Sequence, residues 1–436
     1  MKIMVVIGIA VLLAAFPGRA DGKNSLNHYD IKLKLDPEHQ VMSVQANVTL
    51  HSIESHTDSL TFYLHKQFRL KKVLGKGIQH FSFKKDISCP IAWIPEGRAL
   101  VITLERKGDR TGPFNISLEY EGKITDWPVW SANVLTGEWV ELGLYLPWFP
   151  CNPDYGLFTF EIEAECSADY RLRSYGHYKF SNGKWFFTWT VPTNDIVLVA
   201  GKRLKTIKMK SGGNQILVHY STLREQTVEK LSGDLIKILN LFDQWFGGEK
   251  KGEIALIESL RKKGGGYARR GLISLAGLSD ETYFRRHESY IRYLAHEASH
   301  VWWSMAPTDS WEDWLNEGFA EYSALLVVRE MFGEQAFHNR LAKKKSDLKA
   351  SQPIRGFDRN DRSTPEKSRM IEVNLYSKGP FLLHRLSERI KADQFRALCQ
   401  KMISLSISST ADFLALLEKY HGRDLKNWFE GLLNSY

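Results

Sequence analysis

The hydrophobic pattern of this chain changes its period near residue 221, and this change constrains the fold more than any other feature. Before that point apolar and polar residues alternate, as in YDIKLKL, where Tyr29, Ile31, Leu33 and Leu35 share one face. FTFEIEAEC and WFFTWTV repeat the alternation between turns rich in Gly, Pro, Asn and Asp. A period of two predicts many short antiparallel strands that pack as a sheet or sandwich.

Beyond residue 221 the apolar residues recur at helical spacing. LREQTVEKLSGDLIKILNLFDQWFGG predicts an amphipathic helix that ends at paired glycines. GEIALIESL predicts a strand, and RKKGGGYARRGLISLAG predicts a glycine-rich turn that leads into another strand. The sequence therefore predicts an α+β protein, with an N-terminal antiparallel β domain at residues 21–221 and a mainly helical domain at residues 222–436.

The first twenty residues have the order of a secretory signal peptide. Lys2 precedes an apolar run from Ile3 to Phe16, and a small-x-small sequence ends at Ala20. An uncleaved N-terminal anchor is the alternative that this pattern leaves open. No later stretch approaches about 18 uninterrupted apolar residues, so we expect no transmembrane segment in the mature chain. The expected location is secreted, periplasmic or otherwise extracytoplasmic.

Charge and cysteine content narrow the possible partners. The formal charge is +9, but the basic residues are spread along the chain and no nucleic-acid-binding motif accompanies them. We therefore expect no nucleic-acid partner. The four cysteines allow three pairings, of which Cys151 with Cys166 is the one we expect in an oxidising location.

Two histidines and a glutamate form a candidate metal site. LAHEASHVWWSM lies in a predicted helix from Arg285 to Met305, which places His296 and His300 one turn apart. After a further sixteen residues, WLNEGFAEY supplies Glu317 at the start of another predicted helix. Two neutral imidazoles and one carboxylate leave the fourth position of tetrahedral zinc open. We predict one Zn²⁺ per chain; a purely structural role for the two histidines is the alternative.

Two further glutamates are placed to assist that ion. Glu297 directly follows His296, so it is expected to reach a water on the ion rather than the ion itself. Zinc lowers the pKa of such a water to about 7, and Glu297 could take its proton and deliver it to a leaving amine. Glu321 lies one turn after Glu317 and is predicted to accept a hydrogen bond from a histidine ring. A solvated carboxylate is the alternative for Glu321.

HEASH, WLNEGFAEY and the downstream NLYSKG resemble, in this order, motifs of the gluzincin metallopeptidases of the aminopeptidase-N-like family, which includes the leukotriene-A hydrolases. The resemblance implies an N-terminal β-saddle domain followed by a thermolysin-like catalytic domain. It implies that His296, His300 and Glu317 bind zinc and that Glu297 is the general base. It also implies that Tyr376 donates a hydrogen bond to the oxyanion of the tetrahedral intermediate.

This sequence departs from the family pattern in three places. The family usually has eighteen residues between the second histidine and the glutamate ligand, where this chain has sixteen. The shortening falls in SMAPTDS, a predicted loop. Many members add a helical C-terminal domain for which this sequence has no room, so a more open site is expected. Family aminopeptidases also carry a Gly-x-Met-Glu-Asn motif, and here Ala268 stands at the position of its glutamate.

The GGYARR stretch at that motif predicts a peptide-binding strand without the usual charge. Glycines let a substrate backbone approach as an added strand. A methyl group beside two guanidinium groups cannot attract the substrate's α-ammonium. We expect Arg269 or Arg270 to contact a substrate carboxylate, with solvent exposure as the alternative. The residues predicted to bind substrate are Gly265, Gly266, Tyr267, Ala268, Arg269 and Arg270.

The sequence thus predicts a secreted zinc metallopeptidase that acts on peptides or proteins without standard amino-terminal recognition. It would be an endopeptidase or prefer acidic peptides. Three alternatives remain open at this point. The chain could be an ordinary aminopeptidase that uses another acidic group, a catalytically inactive zinc-binding or peptide-binding protein of the same fold, or a hydrolase of a non-peptide substrate such as an epoxide.

Overall fold

A computed structural model describes residues 26–51, 53, 57–91, 93–105, 112–128, 131, 133–211, 214–248, 253–261 and 266–435. The predicted signal peptide at residues 1–20 and the predicted substrate-binding Gly265 lie outside these residues. Within the described part of the chain, no helix is both long enough and apolar enough to span a bilayer.

The N-terminal domain is built from β-strands in three sheets. Its strands are β1 (Asn27–Asp36), β2 (Val41–Leu50), β3 (Ser59–His65), β4 (Arg69–Leu74), β5 (Ile78–Ser88), β6 (Gly97–Leu104), β7 (Phe114–Lys123), β8 (Val134–Leu135), β9 (Val140–Leu142), β10 (Phe158–Cys166), β11 (Arg171–Arg173), β12 (His177–Ser181), β13 (Lys184–Thr193) and β14 (Leu198–Gly201). The sheet orders are β12-β13-β10-β1-β2-β7-β4, β3-β6-β5 and β11-β14-β9-β8. The β1–β10 pair is parallel, whereas the other pairs of this domain are antiparallel as predicted.

The second domain combines one sheet with helices. Its strands are β15 (Lys205–Ser211), β16 (Asn214–Tyr220), β17 (Glu253–Ser259), β18 (Tyr267–Arg269) and β19 (Leu272–Ala276). Its helices are α1 (Glu225–Phe246), α2 (Asp280–Arg285), α3 (His287–Ser299), α4 (Trp314–Phe332), α5 (Glu334–Asp347), α6 (Pro365–Val373), α7 (Gly379–Ile390), α8 (Ala392–Ser404), α9 (Thr410–His421) and α10 (Arg423–Asn434). This arrangement of a β domain before a helical domain agrees with the predicted α+β class.

The sheet of the second domain begins earlier than the predicted boundary at residue 221. Its order is β15-β16-β17-β19-β18, so the β15–β16 hairpin pairs with the second domain and β18 forms an edge. In β15, Ile207 and Met209 alternate with lysines as in the strands before it, and alternation reports which face of a strand is buried rather than which sheet the strand joins.

The central strands β17 and β19 of the second sheet are buried on both faces, and they join the two domains. Ala255, Ile257 and Leu272 pack into the core of the β domain. Leu256 and Ile273, which point to the opposite face, pack with the helices. Every residue of β19 is buried, as expected for a strand covered on both sides.

The helix that carries the histidines is shorter than predicted. The pattern from Arg285 to Met305 predicts one continuous helix, but α3 ends at Ser299. His300 keeps a right-handed helical conformation (φ −63°, ψ −10°). The N–H of Trp303 bonds to the Ser299 carbonyl at 3.0 Å and closes a final turn. The side chains of Trp302 and Trp303 are buried in the core of the second domain, a tertiary contact that helical periodicity does not report.

The expected bridge between Cys151 and Cys166 is absent, since both side chains are free thiols. Cys151 pairs with Tyr63 before β10 begins, whereas Cys166 is the last residue of β10. A strand rises about 3.3 Å per residue, so β10 carries the second sulfur far from the first.

Candidate metal centre

Helices α3 and α4 bring the three predicted ligands together. His296 lies in the last turn of α3, His300 caps that helix, and Glu317 lies in the first turn of α4. One ligand atom from each residue lies within 4.8 Å of the other two. Glu317 Oε2 is 3.3 Å from His296 Nε2 and 3.8 Å from His300 Nε2. All three side chains are buried.

Hydrogen bonds orient the two imidazole rings so that a cation could bind between their Nε2 atoms and Glu317. His296 Nδ1 lies 3.1 Å from Glu321 Oε2, and His300 Nδ1 lies 2.9 Å from the carbonyl oxygen of Trp303. Both acceptors require a proton on Nδ1, so in a neutral ring each Nε2 keeps its lone pair for an ion. Among the described residues, no hydrogen-bond partner satisfies either Nε2 or Glu317 Oε2. Three acceptors that converge away from water need a positive charge between them.

The pKa values of the two histidines show which ring is neutral and which ring attracts a proton or a cation. Burial lowers the pKa of His300 to about 4, so this ring is neutral, as a metal ligand must be. Burial also disfavours a charged His296, but the carboxylates of Glu317 and Glu321 outweigh it and raise the pKa of His296 to about 10. A proton on His296 Nε2 and a divalent cation would therefore compete for the same position. Two imidazoles and one carboxylate form a ligand set suited to zinc.

Glu297 lies beside the three ligands with a carboxyl group poised for proton transfer. Its side chain is fully buried, and within the described residues neither carboxylate oxygen has a hydrogen-bond partner. Burial raises the pKa of Glu297 to about 7, although the positive charges of His296, Arg261 and Arg269 work against this rise. A carboxyl group with such a pKa can both accept and release a proton near neutral pH.

Glu321 contacts the His296 ring at Nδ1, the nitrogen that does not face Glu317. Arg292 Nη1 lies 2.7 Å from both carboxylate oxygens of Glu321, and Lys344 Nζ lies 2.5 Å from Oε1. The solvated alternative therefore does not describe Glu321, which is buried. Our sequence reasoning missed both cations. Arg292 lies one turn before His296 and could have been found by helical spacing, whereas Lys344 comes from α5 and leaves no local signal.

Tyr376 approaches the centre from a π-helical turn. The turn spans Asn374–Lys378, between α6 and α7, and the Tyr376 ring centroid is 5.8 Å from that of His296. Lys344 Nζ, already bound to Glu321, also donates a hydrogen bond to the Tyr376 carbonyl at 2.5 Å. The Lys344 ammonium group therefore connects Glu321, which binds the His296 ring, to the segment that carries Tyr376. Such π-helical turns are frequent at functional sites.

Two glycines allow this turn to pack closely on α4. A Cβ atom built on Gly379 would lie 3.1 Å from the Cα of Gly318, the residue after Glu317. The backbones of α4 and α7 therefore meet with no side chain between them. This contact explains why WLNEG and YSKG both place a glycine close to a predicted functional residue.

The shortened connection between the helices is closed by polar side chains. Asn316 accepts a hydrogen bond from the Ala306 N–H at 3.1 Å and returns one to the Ala306 carbonyl at 2.9 Å. Asp313 binds buried Arg359 through an ion pair of 2.9 Å. These bonds keep Glu317 in position although the connection has only sixteen residues.

The predicted substrate strand lies at the edge of the second sheet. Tyr267, Ala268 and Arg269 form β18, which pairs with β19 on one side only. A Cβ atom on Gly266 would lie 2.1 Å from the Ser274 carbonyl oxygen and 2.2 Å from the Tyr293 hydroxyl. Only glycine fits at that position.

Arg269 does not occupy the place that we expected. Its guanidinium is buried between the rings of Tyr145 and Tyr267, and its Nε lies 2.7 Å from Asp195 Oδ2. This arginine is committed to the interior of the fold, so we do not assign it to a substrate carboxylate. Arg270, by contrast, is exposed.

A buried acidic group that the sequence reasoning missed lies next to β18. Glu141 accepts hydrogen bonds from Tyr267, Ser274 and Ser259, at 2.9, 2.9 and 2.5 Å, and from Trp139 at 3.2 Å. Its position in β9 of the N-terminal domain gives no local sequence signal for a contact with the second domain.

Comparison with known proteins finds similarity over part of this chain. A model described as the peptidase family M1 domain matches residues 273–431. Over 145 residues the chain is 32% identical to aminopeptidase A of Gloydius brevicauda, a match that covers 30% of this chain and 15% of that protein. Over 139 residues it is 32% identical to human glutamyl aminopeptidase, covering 29% and 14%. The chain thus spans less than a fifth of the length of these relatives.

Two solved structures share the fold over nearly the whole chain. An M1 zinc metallopeptidase from Deinococcus radiodurans superposes with a TM-score of 0.70 at 19% identity, covering 94% of each chain. Leukotriene A4 hydrolase from Saccharomyces cerevisiae gives a TM-score of 0.68 at 17% identity, covering 96% of this chain and 71% of that one. These matches confirm the predicted fold class.

Proposed function

We propose that this chain is a zinc-dependent metallopeptidase of the peptidase M1 family. The observation that carries this proposal is the convergence of His296, His300 and Glu317 beside a buried Glu297. His296 and His300 would hold zinc through Nε2, and Glu317 through a carboxylate oxygen. When bound, zinc would lower the pKa of a water ligand and polarise the scissile carbonyl.

The side chains of this site would perform the proton transfers. Glu297 would take a proton from the attacking water and pass it to the amine that leaves. Its raised pKa supports both halves of that role. Tyr376 would donate its phenolic proton in a hydrogen bond to the oxyanion of the tetrahedral intermediate. Burial keeps the pKa of this phenol well above its ordinary value, so the donor keeps its proton.

Substitution of Glu297 tests the proposal. Glu297→Gln should bind one zinc ion per chain, as we expect of the wild type, yet lose peptide turnover by about a hundredfold or more. His296→Ala should lose the metal as well, because it removes a ligand. Glu281→Gln, on the exposed surface of α2, is the control and should change neither quantity. Wild-type turnover in Glu297→Gln would contradict the role of general base.

We also propose that the chain acts without standard amino-terminal recognition. Ala268 supplies no charge at the edge strand, which supports internal cleavage. The placement of Glu141 favours a second candidate, an aminopeptidase, because its buried carboxylate contacts Tyr267 of the same strand. A substrate ammonium would have to replace one of the donors that Glu141 already binds.

Peptides with free and with acetylated amino termini distinguish internal cleavage from aminopeptidase activity. Mass spectrometry of the products should show internal cuts and similar rates for both forms. Removal of single residues from free peptides only, with loss of that activity in Glu141→Gln, would support the aminopeptidase. The absence of any cut by zinc-loaded wild type would instead favour a binding protein of the same fold.

Export is a further part of the proposal, since residues 1–20 have the signal-peptide pattern. Expression of the full chain in a secreting host should yield extracytoplasmic protein whose first residue is Asp21. Protein that stays in the membrane fraction with Met1 still present would favour the anchor instead.

A further inference from the structure

Tyr293 carries a buried hydroxyl group that lies against the edge strand of the second sheet. The residue belongs to α3 and is only 9% exposed. Its side chain packs in the same core as Ala268 of β18. A Cβ atom on Gly266, the residue before β18, would lie 2.2 Å from the Tyr293 oxygen and 3.0 Å from the ring carbon that bears it. The phenol is therefore directed at the main chain where β18 begins.

The Tyr293 hydroxyl has no hydrogen-bond partner among the described residues. A buried polar group without a partner costs free energy, so native proteins rarely keep one unless water, an ion or a ligand satisfies it. Two other buried tyrosines are satisfied within the fold. The Tyr283 hydroxyl donates to Asp234 at 2.8 Å, and the Tyr120 hydroxyl donates to the Trp148 carbonyl at 2.8 Å. The Tyr293 hydroxyl differs from them because its proton is not used by the described part of the chain.

Tyr293 lies on the same face of α3 as the proposed general base. Glu297 follows it by four residues, about one helical turn, so the two side chains are neighbours on the helix surface. Within the described residues, β18 pairs with β19 alone, and its other edge keeps unpaired N–H and C=O groups. Because α3 also packs against β18, a peptide added along this edge would bring its carbonyl oxygens next to the phenol.

We propose that the Tyr293 hydroxyl binds peptide substrates by donating a hydrogen bond to a main-chain carbonyl oxygen of the peptide. The inference rests on the proposed peptidase function and names the part of the substrate that this site recognises. Every residue of a peptide carries such a carbonyl, so the contact requires neither a free amino terminus nor a particular side chain. Ala268 supplies no charge to the strand, and recognition through the main chain needs none.

Peptides with a single thioamide test this contact, because sulfur accepts a hydrogen bond more weakly than the amide oxygen while the N–H is kept. The probe is an acetylated hexapeptide amide of alternating alanine and leucine, made as a series in which each internal amide in turn is a thioamide. Isothermal titration into zinc-loaded Glu297→Gln protein measures binding without turnover. One thioamide should bind about three- to tenfold more weakly than the parent peptide. Adding Tyr293→Phe should weaken the parent by a similar factor and reduce the penalty at that position to below about 1.5-fold.

Thermal unfolding separates this role from a structural one. Tyr293→Phe keeps the ring and removes a hydroxyl without a partner, so Tm should rise by about 1–4 °C. Tyr283→Phe on α2 is the matched control, because it removes a hydroxyl that is bonded to Asp234. Its Tm should fall by a similar amount, and its peptide binding should stay unchanged.

Three results would overturn the inference. The first is the same set of thioamide penalties with and without the Tyr293 hydroxyl. The second is a Tm for Tyr293→Phe that falls as far as that of Tyr283→Phe. The third is unchanged peptide binding with a lower kcat and a shifted pH profile, which would assign the hydroxyl to Glu297. If the wild type fails to cleave a parent peptide that the Glu297→Gln protein binds with the expected dependence on Tyr293, the peptidase function fails and the contact stands.

Discussion

At the scale of single residues, the two histidines have unequal surroundings although the sequence presents them as a pair. The His300 ring is held by a backbone carbonyl, whereas the His296 ring is held by the Glu321 carboxylate. That carboxylate is itself bound by Arg292 and Lys344. Outer partners of this kind fix the tautomer and orientation of a metal-binding imidazole. Glu321 should therefore govern how well the centre holds its metal.

Glu321→Gln should weaken zinc binding by about ten- to a hundredfold without removing a ligand. The neutral amide is a poorer acceptor for the His296 N–H, and it leaves two partly buried cations without their anion. Competition with a chromophoric chelator measures the zinc dissociation constant. Glu330→Gln, at an exposed position of the same helix, is the matched control. Equal zinc affinity in the Glu321 variant and wild type would show that the ring needs no such support.

At the scale of elements, the sequence predicts the helices and strands that follow from local periodicity. It does not predict features that depend on contacts with distant segments of the chain. The helix before the paired glycines is confirmed, since α1 ends at Phe246 and Gly247 takes a φ of 87°. The i, i+4 spacing of His296 and His300 places them together because one helical turn is enough. Distant chain segments determine where α3 ends and which sheet β15 and β16 join. They also determine the contacts that Lys344 and Glu141 make. No local sequence pattern reports these features.

The contact between α4 and α7 allows a test of how Tyr376 is positioned. Gly379→Ala would force the two backbones apart by a few tenths of an ångström, because its methyl group would lie 3.1 Å from the Gly318 Cα. We expect a loss of about 1–3 kcal/mol in the free energy of unfolding. We also expect a lower kcat with unchanged zinc content, since the ligands do not lie on α7.

Gly431→Ala is the control for that substitution. Gly431 lies within α10, and a Cβ atom there has no neighbour within 4 Å. Its replacement should stabilise the protein by up to about 1 kcal/mol through helix propensity, with no change in kcat. If Gly379→Ala behaves like Gly431→Ala, the close glycine contact does not position the tyrosine.

At the scale of the whole molecule, a buried polar network crosses from the β domain to the edge strand beside the metal centre. Asp195, between β13 and β14, pairs with Arg269 of β18, and Glu141 of β9 binds Tyr267 of the same strand. Burial raises the pKa of Asp195 even though the arginine opposes that rise. The strand predicted to receive substrate is therefore held in place by the other domain.

Removing one partner of the Asp195–Arg269 pair should destabilise the protein far more than removing a surface pair. Asp195→Asn leaves a buried guanidinium without its anion, at an expected cost of about 3–5 kcal/mol in the free energy of unfolding by denaturant. Arg269→Met leaves a buried carboxylate that can take up a proton, so its cost should be smaller near acidic pH. The double variant should lose less than the sum of the two, because neither charge is then left alone. Glu281→Gln breaks an exposed pair with Arg285 and should cost at most about 1 kcal/mol. Additive losses in the double variant would mean that the two side chains contribute independently and do not link the domains as a pair.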